Sequence, residues 1–191
     1  MGGNTWCVET TRPAVLTFGH GTAGAAELAR LLTGAGVRCV VDVRSVPGSR
    51  RNPDAGREAL QRWLPGAGLG YRWDRRLGGW RRPRPDSPDT ALRHRSFVGY
   101  AGHMRSPDFL VAIGELLAGA AERPTAVMCA ESLWWRCHRK MIADFLVLAT
   151  GTEVRHLLHD GSVHVHRPSP EARLDERTGL LVYDVSPERA S

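Results

Sequence analysis

Cysteine is scarce in this chain, lysine is almost missing, and no apolar run is long. The four cysteines, Cys7, Cys39, Cys129 and Cys137, are too few and too far apart in 191 residues for the disulfide framework of a small secreted fold. Cys39 lies inside Val37–Val41, where a thiol reads as a small buried hydrophobe. No stretch reaches the roughly 18 apolar residues that a membrane helix needs. The opening MGGNTWCVET has neither the basic start nor the apolar block of a secretory signal. A soluble, cytoplasmic protein without a membrane partner is therefore expected. Lys140 is the one lysine among 26 fixed cations. Such a skew toward arginine also follows from GC-rich coding, so the net charge of +6 and pI of about 9.8 argue only modestly for acidic partners such as nucleotides or nucleic acid.

What is present is an ordinary globular composition, 42% hydrophobic and 24% charged, sufficient for a single core. Ala14–Phe18 is a short apolar run followed by Gly19-His-Gly-Thr22. A helix over Ala23–Leu32 and a buried strand over Val37–Val43 follow, separated by Gly34 and Gly36. Strand, helix, strand with short glycine-containing links is a βαβ unit, which implies parallel pairing. Arg57–Leu64 reads as a short helix and Leu69–Trp73 as a third strand, whereas Leu77–Pro88 is broken by Pro and Gly and reads as a surface loop. Phe97–Met104 (FVGYAGHM) fits no single pattern. An amphipathic helix starts at Ser106 or Asp108 with Phe109, Leu110, Ile113, Leu116 and Leu117 on one face. A buried strand over 125–130 and a helix from about residue 136 come next. Asp160-Gly161 turns a hairpin between 153–159 and 162–166. The spacing predicts one α/β domain over 14–168, a mostly parallel sheet between helices, with loosely held tails at 1–13 and 169–191.

Three chemistry-bearing segments share one predicted position. Gly19–Thr22, Asp42–Ser45 and Cys129–Arg139 each follow the C-terminal end of a strand, where open α/β sheets bind ligands. The ordered set VDVRSVPGSRR, LGG, FVGYAGHM and CAESLWWRCHRKMIADFL resembles the DUF488 family over about Thr17–His156. The resemblance implies a compact Rossmann-like three-layer domain and a motif set, but brings no settled reaction. The Arg- and Pro-rich loop at 80–88 departs from the family pattern.

The residues suggest several roles, which stay open side by side. Glu131 suits general acid or base work if partly desolvated, or a structural pairing with Arg136 or Arg139. His20 and His138 are candidate proton carriers. Cys137-His138-Arg139 lies near a helix start, where free amides and arginines favour an anion. Arg44, Arg136 and Arg139 are the candidate anion-binding residues, Arg50 and Arg51 extend a positive rim, and Asp42 supports the site or simply pairs with an arginine. Cys129 is inert if packed in its apolar strand and reactive if the nearby cations favour the thiolate, which would allow rhodanese- or phosphatase-like chemistry. A metal site from Cys129, Cys137, His138 and His20 is weighed and not assigned. The spacing C-x7-C-H is not that of a zinc finger, and adjacent side chains diverge on a helix. His156, His159, His164 and His166 on the hairpin offer another candidate metal cluster, with His164 and His166 on one strand face, but scattered surface histidines are the favoured reading. Trp73, Trp80, Trp134, Trp135 and Tyr100 offer surfaces for a nucleobase.

The expectation is an enzyme, a hydrolase or transferase, on a phosphate-bearing small molecule such as a nucleotide derivative. The alternatives are a nucleic-acid-binding module or thiol chemistry at Cys129. No cofactor and no oligomeric state follow from the residues.

Overall fold

Alternation along the strands sorts their side chains into two cores. In the computed structural model, which describes residues 14–49 and 51–185, the chain runs β1 (Val15–Gly19), α1 (Ala25–Gly34), β2 (Cys39–Asp42), α2 (Arg57–Gly66) and β3 (Gly70–Trp73). It continues through α3 (Arg95–Met104), α4 (Pro107–Glu122), β4 (Thr125–Cys129), α5 (Arg139–Thr150), β5 (Val154–Leu157), β6 (Val163–Val165), β7 (Ala172–Leu174) and β8 (Leu181–Tyr183). Among the described residues β1–β6 form one sheet in the order β3-β2-β4-β1-β5-β6. All its pairings are parallel except β5 with β6. Phe18, Val40, Ala126 and Met128 pack on one face with Leu28 and Leu32 of α1 and Leu60 and Leu64 of α2. Val15, Val41 and Val127 face the other way, against Tyr100, Phe109, Ile113, Met141 and Ile142 of α3–α5. Each fully buried Leu or Phe contributes about 1.5–3 kcal/mol. The expected three-layer, Rossmann-like sandwich is the fold.

Local signals set most boundaries. The Ser106 hydroxyl accepts the Phe109 N–H at 3.4 Å, with Pro107 as the first helical residue of α4. Gly151 ends α5 at φ +66°. At the predicted hairpin Asp160 accepts the Ser162 N–H and Gly161 takes φ +84°. Among the described residues no helix is long and apolar enough to cross a membrane.

Three elements differ from expectation. FVGYAGHM is helical, and His94 caps it by accepting the Ser96 N–H. Its glycine-rich sequence serves a close crossing, since a Cβ at Gly99 would lie 2.4 Å from the Arg81 carbonyl oxygen. The helix placed from 136 begins at Arg139, because Trp134–Arg136 form a 3-10 turn first. The segment expected to be a loose tail is packed as far as residue 185. β7 and β8 pair, Leu181 and Tyr183 are buried, and the Tyr183 N–H and the Arg105 guanidinium both donate to Asp89. Residues 1–13 and 186–191, including Cys7 and the expected N-terminal tail, lie outside the described residues.

Candidate functional site

β2, β4 and β1 are far apart in sequence but consecutive in the sheet, so the three segments after them meet. Gly19 pairs with Cys129 and Asp42 with Met128. The ladder continues into the loops through His20 N–H to Cys129 O at 3.0 Å and Gly21 N–H to Ala130 O at 2.9 Å. Beyond these ends lies a cavity of about 460 Å³, on which Arg44, Cys129, Glu131, Arg136, Cys137 and His138 all open.

Asp42, Arg44 and His20 form a closed unit, of which Arg44 lines the cavity. Arg44 donates Nε–H to Asp42 Oδ1 at 2.8 Å and Nη2–H to Oδ2 at 2.6 Å, and Tyr71 adds its hydroxyl to Oδ2 at 2.9 Å. His20 stands 3.1 Å from Arg44 Nη1 through Nε2 and 2.9 Å from Gly21 O through Nδ1. Arg44 can only donate and the carbonyl can only accept, so His20 carries its proton on Nδ1. Burial pushes the imidazole down from its ordinary range, which suits that neutral form. Both nitrogens are engaged and His20 is not on the cavity wall, so its ring is placed as a support for Arg44 rather than a proton carrier to a ligand.

The second wall is a corner of two thiols and one imidazole. Cys129 Sγ lies 3.8 Å and Cys137 Sγ 3.6 Å from the same nitrogen, His138 Nδ1. His138 Nε2–H donates to Val43 O at 3.1 Å, and the edge of the fully buried Tyr100 ring packs at 5.0 Å. Tyr100 thus supports His138, its hydroxyl donating to Leu77 O. Cys137 is extended at φ −124°, and His138 precedes the helix. Neighbouring side chains that would diverge on a helix therefore turn toward one point. Its contact with Cys129, with His138 and Arg139 nearby, holds the Cys137 thiol well below its usual range. The same contact, with burial, pushes Cys129 well above. Both sulfurs, and not Cys129 alone, stand at the His138 imidazole.

The charged rim divides in two. Glu131 and Arg136 are exposed on the cavity, and neither side chain has an ion-pair or hydrogen-bond partner among the described residues. Arg139 is only 1% exposed, off the cavity wall, and donates Nη2–H to the Glu131 carbonyl. It props the 129–132 loop and does not face a ligand. Gly19 lets that loop close, since a Cβ there would sit 1.8 Å from the Glu131 oxygen. The first-turn amides of Lys140 and Met141 return to Cys137 O and His138 O, which trims the anion site expected at this helix start. Arg51 is exposed away from the cavity, and Arg50 lies outside the described residues.

Ser45, Ser96 and Phe97 also line the cavity, and none is singled out as a site residue from the sequence, although Ser45 ends the Asp42–Ser45 segment and Phe97 opens FVGYAGHM. Ser96 and Phe97 belong to the stretch whose helix was not legible. Of the described tryptophans only Trp80, 80% exposed, lines the cavity. Trp73 donates to Arg44 O at 2.8 Å, and Trp134 stacks on His156 at 4.0 Å. That His156 is buried corrects the surface reading of these histidines. Thr17 Oγ1, His156, His166 and Asp144 form a buried chain with links of 2.7, 2.9 and 2.9 Å. His164 is exposed while His166 is buried, so the two do not share an environment.

A family model described as "Domain of unknown function DUF488" matches residues 25–146. The match runs from α1 into α5 and includes Asp42, Arg44 and the whole Cys129–Arg139 segment, but leaves His20 outside. No curated protein and no solved structure matches the chain. With more than half of its length matched, and with the strand-end motifs at the walls of one cavity, the chain belongs to the DUF488 family.

Proposed function

We propose that the protein is an enzyme acting on a phosphate-bearing small molecule held in the cavity beyond β1, β2 and β4. The observation that carries this reading is that Arg136 and Glu131, neither with a side-chain partner among the described residues, open on the same hollow of about 460 Å³, a volume in the range of small-ligand pockets. Arg136 binds the anion through charge-assisted hydrogen bonds. Arg44 adds fixed positive charge at the cavity wall, held in place by Asp42 and His20. Glu131 accepts or returns a proton at the ligand, and Trp80 and Phe97 offer faces to a base or other flat group. Hydrolysis or group transfer is the reaction class that such an anion clamp with one carboxylate serves.

The nucleic-acid reading has one observation in its favour, the exposed Trp80 beside Arg81, Arg82 and Arg84 in the same loop. A concave site with buried walls favours the small molecule. Thermal unfolding against nucleotides, nucleosides and sugar phosphates tests both. A ligand that binds the folded chain raises its unfolding temperature with concentration. The small-molecule reading expects a phosphate-bearing compound to do so and its dephosphorylated form not to. A flat response across the panel, with steeply salt-dependent binding of single-stranded DNA or RNA, would replace it by the nucleic-acid module.

A further inference from the structure

We propose that Cys129, Cys137 and His138 form a three-ligand site for zinc or a similar divalent transition ion, with its fourth coordination position turned into the cavity. Their ligand atoms lie within 4.8 Å of one another, the one such group among the described residues. The distances fit a tetrahedral ion. With Zn–S about 2.3 Å and Zn–N about 2.0–2.1 Å, a tetrahedral angle sets S···N at about 3.6 Å; the observed values are 3.6 and 3.8 Å.

A thiol–imidazole hydrogen-bond cluster explains the arrangement less well. His138 Nδ1 has one lone pair, and so accepts one S–H, yet two sulfurs converge on it. A shared cation satisfies all three donors. The tautomer is already set for it. Nε2–H is committed to Val43 O at 3.1 Å, which leaves the Nδ1 lone pair facing the sulfurs, the outer-shell arrangement that orients metal-bound histidines. The ring is held against the Tyr100 edge, and Gly79 keeps the adjoining loop clear of it, since a Cβ there would lie 2.6 Å from Nδ1.

Charge agrees as well. Two thiolates neutralise a divalent ion. Two soft sulfurs and an imidazole select zinc-like ions over magnesium or calcium. Three protein ligands with an open fourth position are the pattern of reactive rather than structural zinc. All three ligating residues line the cavity, so that position is filled by water or by an oxygen of the bound anion. The role of the open position rests on the proposed function; the binding of the ion does not.

The test uses the purified full chain. Metal analysis after preparation without chelator is expected to find one zinc per chain. Titration of the stripped protein with Co²⁺ is expected to saturate at one equivalent, with the thiolate charge-transfer and visible bands of a tetrahedral site. Cys129→Ser, Cys137→Ser and His138→Ala should each weaken or abolish those bands. In case a variant does not fold, alkylation mapped on the unmodified chain gives a second reading. Zn²⁺ should slow modification of Cys129 and Cys137 by about tenfold or more, because a ligated thiolate is withdrawn as a nucleophile, and leave Cys39 unchanged. Trace metal only, a Co²⁺ spectrum without thiolate bands, or a metal-free 129–137 disulfide would each overturn the site. A positive Co²⁺ titration beside a flat ligand panel keeps the metal site and removes the anion reading; the converse result does the reverse.

Discussion

Two histidine clusters adjoin the segment between β4 and α5, one through His138 and the other through Trp134 stacked on His156. They are built from similar groups and end differently. In the buried cluster Asp144 accepts from His166, from the Ser169 amide and hydroxyl and from the Tyr183 hydroxyl. His166 bonds His156, and His156 bonds Thr17. Every imidazole nitrogen is matched, and none of these residues lines the cavity beyond β1, β2 and β4. In the other, two sulfurs crowd one nitrogen of His138 and a cavity opens on all three. A closed set of hydrogen bonds holds the fold together, whereas converging donors with capacity left over and space beside them mark a place for something else.

The comparison breaks most sharply at Asp144. Asp144→Ala strips the acceptor from several buried donors and is expected to lower the unfolding free energy by about 3–5 kcal/mol, read by urea denaturation. A loss below about 1 kcal/mol, the worth of a single ordinary hydrogen bond, would mean that the cluster is not structural. Gly19→Ala acts on the other side. Its Cβ would meet the Glu131 carbonyl at 1.8 Å, so the loop must move at a cost of about 1–3 kcal/mol. Ligand-induced stabilisation should fall with it, and an unchanged thermal melt would contradict the close packing of the cavity wall.

Acid titration separates the clusters next. Burial, with His166, Arg139 and His164 facing it and only Asp144 opposing, lowers His156 to about 3 from its ordinary 6.5. Between those values the unfolded chain binds the extra proton, so stability falls as pH drops from about 6.5 toward 3, by up to about 1.4 kcal/mol per pH unit for this one group. His156→Gln should flatten that limb; an unaltered slope would show that His156 is not held neutral. The smallest effect on stability is expected at Arg136→Ala, within about 0.5 kcal/mol. The same change should weaken binding of a phosphate-bearing ligand about 10–100-fold, the worth of a charge-assisted hydrogen bond of about 1.5–3 kcal/mol.

Much of the fold is legible from local pattern. The buried strands, the Ser106 cap and the Asp160-Gly161 turn announce themselves within a few residues, and the rule that ligands gather at strand ends locates the site. What local pattern does not carry is the direction of a side chain after the chain has crossed the sheet. Arg139 and Arg136 are three residues apart in one motif, yet the 3-10 turn at 134–136 leaves one exposed on the cavity and buries the other beneath Glu131. His20 and Arg44 read as two site residues, and the distance between β1 and β2 makes them one unit. His156 and His166 read as surface because their partners Thr17 and Asp144 lie 139 and 22 residues away. Phe97 and Ser96 were hidden by a glycine-rich helix whose glycine serves the loop crossing it.

The central claim is that the hollow beyond β1, β2 and β4 is where the protein holds its ligand. A crystal soaked with the phosphate-bearing compound that most raises the unfolding temperature tests it most directly. The account predicts density for the phosphate against the Arg136 guanidinium, within reach of the Cys129–Cys137–His138 corner. Ordered density for the same compound on another surface, with the hollow containing solvent alone, would contradict it.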